Sequence, residues 1–183
     1  MNSAQNTELT KERPNGIELE LRKMQASHIP AVHSLEKDSY PSDEAASKAT
    51  LDYRMAVAEP LCQIAVDSGT SELVGFVSAT ATSKNTERMT ASMLKEHSST
   101  GEVVCIHSVV VDKKFRRRGY GTEMMKAYMS KVEKLPQYNR ILLISKRYLV
   151  PFYESVGFRE MGESDIAHGK ERWIDMERIL RHK

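Results

Sequence analysis

The chain has 183 residues, 40% of them apolar and 28% charged, with a net charge of +2. That length suits one domain able to bury about 70% of its unfolded surface without staples. The near-neutral balance argues against a polycation that wraps nucleic acid, and two cysteines, Cys62 and Cys105, exclude a disulfide scaffold. No apolar run approaches the length of a membrane span, and the first residues lack the apolar core of a signal peptide. A soluble, cytoplasmic protein is expected.

Residues 1–16 are polar and end in Pro14-Asn15-Gly16, the pattern of a disordered tail; residues 17–183 are expected to form one domain. Ile17 to Leu21 alternates apolar and polar, which predicts a half-buried strand. Ser27 is placed to cap a helix carrying Ile29, Val32, His33 and Leu35 that stops before Tyr40-Pro41. A second helix is expected with Ala45, Ala46, Ala49, Tyr53 and Ala56 on one face. Residues 61–67 and 72–82 read as a hairpin around Ser68-Gly69-Thr70, and 83–101 as a loop with one short helix near Met93.

Val103 to Val111 is a long β-branched run, apolar on both faces, which suggests a central strand. Met124, Met125, Tyr128, Met129 and Val132 then trace one face of a helix beginning at Thr122 and ending near Pro136. A strand at 140–144, a short helix at 150–156 closed by Gly157, and strands at 159–167 and 171–179 follow. The class is α/β or α+β around one mixed sheet.

Between the long strand and its helix lies Arg116-Arg117-Arg118-Gly119-Tyr120-Gly121, with five cations in residues 113–118. Two glycines let backbone amides approach an anion, and the free amides of the following helix start point at the same place. This is a phosphate cradle in outline. It is neither a P-loop, lacking a terminal Gly-Lys-Ser/Thr, nor a dinucleotide fingerprint, since Met124 stands where the third glycine belongs. The bland alternative is a solvated turn or a nuclear-import patch.

The Arg-x-x-Gly-x-Gly loop between a long strand and an amphipathic helix resembles the acetyl-CoA loop of the GNAT N-acetyltransferases, and the element order over 17–180 is similar to that fold. Residues 85–90, 106–111 and 149–158 further resemble arylalkylamine (serotonin-type) N-acetyltransferases. The resemblance implies a mostly antiparallel sheet of about seven strands flanked by helices. It implies that Val109, Val110 and Val111 bind the pantetheine arm of acetyl-CoA, and that Arg116, Arg117, Arg118, Gly119, Tyr120, Gly121 and Thr122 surround its pyrophosphate. Tyr153 is the implied proton donor to the leaving thiolate. Vertebrate relatives carry two histidines on the long strand; here Cys105 stands at the first position and His107 at the second.

An amine with a pKa near 10.4 is almost wholly protonated at pH 7, so attack on a thioester is helped by a base. His107 is the natural candidate on this strand. Its bland reading is a structural histidine lining the sheet, and that of Tyr153 is a core aromatic. Glu36, Asp43 and Glu44 are alternative bases, Glu44 because related insect enzymes use a Glu in a comparable Asp-Glu stretch. Tyr40, Pro41, Glu44 and Ser108 are the expected acceptor contacts, and the scattered histidines lack metal-ligand spacing, so no metal is expected. The leading reading is direct transfer of acetyl from acetyl-CoA to a small-molecule arylalkylamine by a monomer that binds neither membrane nor nucleic acid. A protein lysine, N-terminal amine or polyamine acceptor is the alternative. A catalytically inactive module with a basic nucleic-acid or import patch is the non-enzyme one.

Overall fold

The computed structural model describes residues 16–83 and 85–180, so the tail expected over 1–16 lies, Gly16 apart, outside the described residues. In chain order come β1 (Leu19–Lys23), α1 (Ile29–Ser39), α2 (Lys48–Val57), β2 (Gln63–Asp67), β3 (Leu73–Thr82), β4 (Val103–Val111), α3 (Tyr120–Val132), β5 (Arg140–Ser145), α4 (Val150–Ser155), β6 (Arg159–Glu163) and β7 (Ile174–Ile179). They build one seven-stranded sheet in the order β1-β2-β3-β4-β5-β7-β6. Every neighbouring pair is antiparallel except β4–β5, giving a mixed α+β fold with β4 in the centre.

The sheet is covered on both faces. Val104 and Ile106 meet Met124, Met125, Tyr128 and Met129 of α3 on one side. Ile29, Val32 and Leu51 of α1 and α2 cover Ile64, Phe76 and Val110 on the other. The α3 methionines are therefore packing residues, as the helical stripe required.

Local chemistry explains where the elements depart from the sequence reading. Ser27 does not cap α1; the helix is entered through a turn at Ala26–His28, where Gln25 and His28 bond each other reciprocally. The α2 helix starts only at Lys48, because Ser47 caps it by accepting from the Thr50 amide at 3.1 Å. Its buried face holds Leu51 and Arg54, whereas Tyr53 is 44% exposed. Alanines bury too little area to choose a face, and one leucine outweighs them. The last two strands are shorter than expected, while α3 begins two residues early, at Tyr120.

Two irregularities shape the centre of the sheet. Ser78 pairs with Ser108 but Ala79 pairs with Ile106, so His107 is an extra residue, a β-bulge. The bulge reverses the side-chain alternation. Before it the even residues Val104 and Ile106 face α3; after it Val109 and Val111 do. Second, β4 pairs with β5 only from Val103 to Cys105, while β5 continues along β7 to Ser145. The parallel strands part beyond Cys105 and leave a gap beside Val109–Val111.

Candidate active site

The gap presents backbone groups of β4. The Val109 amide donates to the Tyr40 hydroxyl at 3.4 Å, and the Val111 carbonyl accepts from Arg116 Nε at 2.7 Å. Both residues thus turn their main chain away from β3. Val110 points its main chain at β3 by strand alternation and its side chain under α1, so of the three valines it does not face the gap.

At one end of the gap lies the basic loop. Gly119, with φ 85°, opens α3, and Arg117 also has a positive φ of 62°. Left-handed backbone turns the chain sharply into the helix, where the first-turn amides of Gly121 and Thr122 have no helical carbonyl to bond. A Cβ on Gly121 would meet Phe152 at 3.5 Å and Val111 at 3.7 Å, ordinary contacts that leave this face of the helix start against the gap. The side chains divide unequally. Arg116, Arg117 and Arg118 are all exposed, and Arg116 also donates to Ser39 at 2.9 Å and so ties the loop to α1. The Tyr120 ring is buried in the core and its hydroxyl accepts from the Ile17 amide at 3.0 Å. Tyr120 offers an anion its backbone only.

Tyr153, on α4, packs edge-on against Phe152 and Phe158 with centroids 5.0 and 5.8 Å away. Burial, and then the nearby Tyr148, push its phenol above the ordinary tyrosine range, so it holds its proton. Tyr153 shares the α3-side layer with Val109, Val111 and Phe152.

On the opposite face sits a buried polar cluster. Glu36 of α1 accepts from the Ser108 hydroxyl at 3.1 Å and from the Ala46 amide at 2.8 Å through one carboxylate oxygen. Its other oxygen is buried without a partner among the described residues. Burial raises the Glu36 pKa, against the pull of those hydrogen bonds and of Arg54. Arg54 is buried too and donates to the Leu94 carbonyl at 3.1 Å. With Thr80 it helps to line a cavity of about 270 Å³ beside α2. His107 reaches the same place: its Nε2 lies 2.8 Å from Thr80 Oγ1, and Nδ1 is buried without a partner among the described residues. Burial and then Arg54 push this imidazole well below its ordinary pKa, so it is neutral at pH 7. Cys105 is fully buried with its thiol pushed up to about 12.

The remaining acceptor-side residues separate. Pro41 is exposed at the start of the α1–α2 segment. Glu44 is buried and bonded at 2.5 Å to Lys146, which also reaches Glu171 at 3.1 Å and lies 4.1 Å from the Trp173 ring centroid. The structure brings together Tyr40, Val109, Val111, Gly121 and Tyr153 around the gap, with Glu36 and Ser108 behind β4; Glu44 belongs to an ion pair farther along. Sequence reasoning missed Arg54, Lys146 and the anchoring role of Arg116. The one available signal for Arg54 was its place three residues after Leu51, on the buried face. Among the described residues no three His, Cys, Asp or Glu side chains gather as metal ligands, and no helix is long and apolar enough to cross a membrane.

Known proteins resemble this chain in sequence and in fold. Serotonin N-acetyltransferase of Mesocricetus auratus is 29% identical over 109 residues, 60% of this chain and 52% of that protein; the Macaca mulatta enzyme is 31% identical over 97 residues, 53% and 47%. The chain thus spans about half the length of the curated relatives it matches. A GNAT-like decarboxylase, GphF, in complex with isobutyryl-CoA, superimposes with a TM-score of 0.77 at 15% identity, covering 88% of this chain and all of that one. The NatC complex bound to a Gag peptide and CoA gives 0.70 at 16%, covering 90% and 100%. The acetyltransferase (GNAT) domain model matches residues 43–180, well over half of the chain, and the chain belongs to that family.

Proposed function

We propose that the protein transfers acetyl from acetyl-CoA to a primary amine by direct attack, and that the acceptor is an arylalkylamine. The observation that carries this is the gap itself, with the Val109 amide turned into it, a helix N-terminus and two exposed arginines at one end, and a protonated phenol alongside. A thioester lying there would have its phosphates at the α3 start and its carbonyl at Val109. CoA-bound relatives of the same fold support acetyl-CoA as cosubstrate. The serotonin N-acetyltransferase relatives favour the arylalkylamine acceptor.

The amine must lose a proton, and the buried cluster orders the candidate bases. Glu44 is committed to Lys146. Glu36 has an unpartnered carboxylate oxygen, touches Ser108 next to Val109, and is made a stronger base by burial. Glu36 therefore stands in for the absent histidine, and neutral His107 receives protons only transiently.

The experiment is acetylation of an amine panel (tyramine, serotonin-like amines, polyamines, lysine peptides) followed by release of CoA thiol, with Tyr153→Phe alongside. Arylalkylamines should lead the panel. Turnover of the variant should fall about 10²-fold, with acetyl-CoA affinity little changed. A lysine peptide preferred over every arylalkylamine overturns the acceptor. Turnover within about twofold when chemistry is rate-limiting makes Tyr153 a packing residue. Failure of all amines, together with failure to bind acetyl-CoA, leaves an inactive module.

A further inference from the structure

Tyr40 ends α1 in extended backbone, at φ −117° and ψ 150°, which sends its side chain back toward β4. Its hydroxyl stands 3.4 Å from the Val109 nitrogen, beside a main-chain donor that faces the gap. Two restraints hold it. The ring packs against the apolar layer beneath α1. The preceding residue, Ser39, receives the Arg116 guanidinium, whose Nε is bound to the Val111 carbonyl. The end of α1 is thus pinned to the strand on both sides of this phenol.

We propose that Tyr40 donates a second hydrogen bond to the acyl oxygen during transfer and completes, with the Val109 amide, an oxyanion hole. The inference rests on acetyl transfer being the reaction. As the amine lone pair forms the C–N bond, the π pair of the carbonyl moves onto oxygen. An oxygen about 3 Å from both Val109 N and Tyr40 Oη accepts from each. When the carbonyl re-forms, the C–S bond breaks and its electron pair leaves on sulfur, which takes a proton from Tyr153. The ammonium proton passes to the base and from it to solvent, and solvent returns a proton to Tyr153.

In the free protein the phenol oxygen accepts from Val109. The entering acyl oxygen takes over that amide, and the Tyr40 O–H turns to the same oxygen. Little reorganisation is needed, because both donors already stand side by side. Burial first, then Tyr153 and Glu36 nearby, hold the phenol proton on above the ordinary tyrosine range, so Tyr40 remains a donor at neutral and alkaline pH. Two phenols then divide the work: Tyr40 serves the oxygen and Tyr153 the sulfur.

The test is Tyr40→Phe, which deletes the hydroxyl and keeps the ring in its layer. Turnover and acetyl-CoA KM are measured, together with the infrared carbonyl stretch of an unreactive ketone analogue of acetyl-CoA bound to each protein. Turnover should fall about 10²-fold with KM within about twofold, and the bound stretch should move to higher frequency as a hydrogen bond is lost. Turnover and stretch both unchanged would make Tyr40 only a wall of the pocket, and overturn the proposal. A lower KM with undiminished turnover would show the phenol competing with substrate for the Val109 amide, and overturn it as well. If the wild-type protein binds no ketone analogue and releases no thiol with any amine, the acetyl-transfer reading fails first and takes this role with it.

Discussion

His107 shows how far a residue's surroundings can move it from its textual role. An imidazole in water titrates near 6.5; here burial and Arg54 favour the neutral form. Below about pH 6.5 the unfolded chain takes up a proton that folded His107 refuses. The unfolded state then binds more protons, so stability is lost as pH falls and the effect disappears above that range. His97, also shifted down by burial, acts in the same direction, so the informative quantity is a difference between proteins. Denaturant melts from pH 7 to 5 should show a shallower loss for His107→Gln than for the wild type, by up to about 1.4 kcal/mol per pH unit for one proton. Equal slopes would mean that the folded imidazole titrates freely. The histidine was visible in the sequence as a candidate base. Its bulge, and hence the face it occupies, was not, because a bulge is decided by how β3 and β4 align.

At the scale of the element, the start of α3 is the part that local sequence dictates best. Gly119 adopts the left-handed conformation that turns the loop into the helix, and the methionine stripe sets which face is buried. Gly121 has a different duty. A Cβ there would make only ordinary contacts with Phe152 and Val111, so the backbone has room for one. Gly121→Val should therefore fold with a melting temperature close to the wild type, yet raise the acetyl-CoA KM at least tenfold, about 1.4 kcal/mol, by crowding the phosphate approach. An unchanged KM in the folded variant would remove the loop from cosubstrate binding. The second helix marks the limit of local reading. Its alanine stripe suggested one face, and a single leucine with a buried arginine chose another.

Across the whole molecule, the α1–α2 segment is fastened to the opposite end of the sheet. Lys146 follows β5, bonds Glu44 and Glu171, and lies over Trp173; the Trp173 indole donates to the His168 carbonyl at 2.5 Å, and the His168 ring lies 3.1 Å from the Glu44 carbonyl. Both partners are nearly inaccessible, with side-chain exposures of 9% for Lys146 and 2% for Glu44. Lys146→Met would strand a buried carboxylate. It should cost about 3 kcal/mol or more, whereas adding Glu44→Gln should restore most of the loss. Urea melts of the two variants decide it: equal stability in both would mean that the pair carries no coupling.

The glycine-containing loop, the central strand, the α3 stripe and the short helix bearing Tyr153 were determined by the sequence itself. Each is a local signal, a backbone freedom or a burial period confined to about a dozen neighbouring residues. Only the tertiary structure decided that Val109 meets Tyr40 across 69 positions, Ser108 meets Glu36 across 72, and Lys146 meets Glu44 across 102. These contacts arise because polar groups carried into a packed interior must find partners there, and those partners are set by which strands pair and where they part. Chain order carries no record of that geometry.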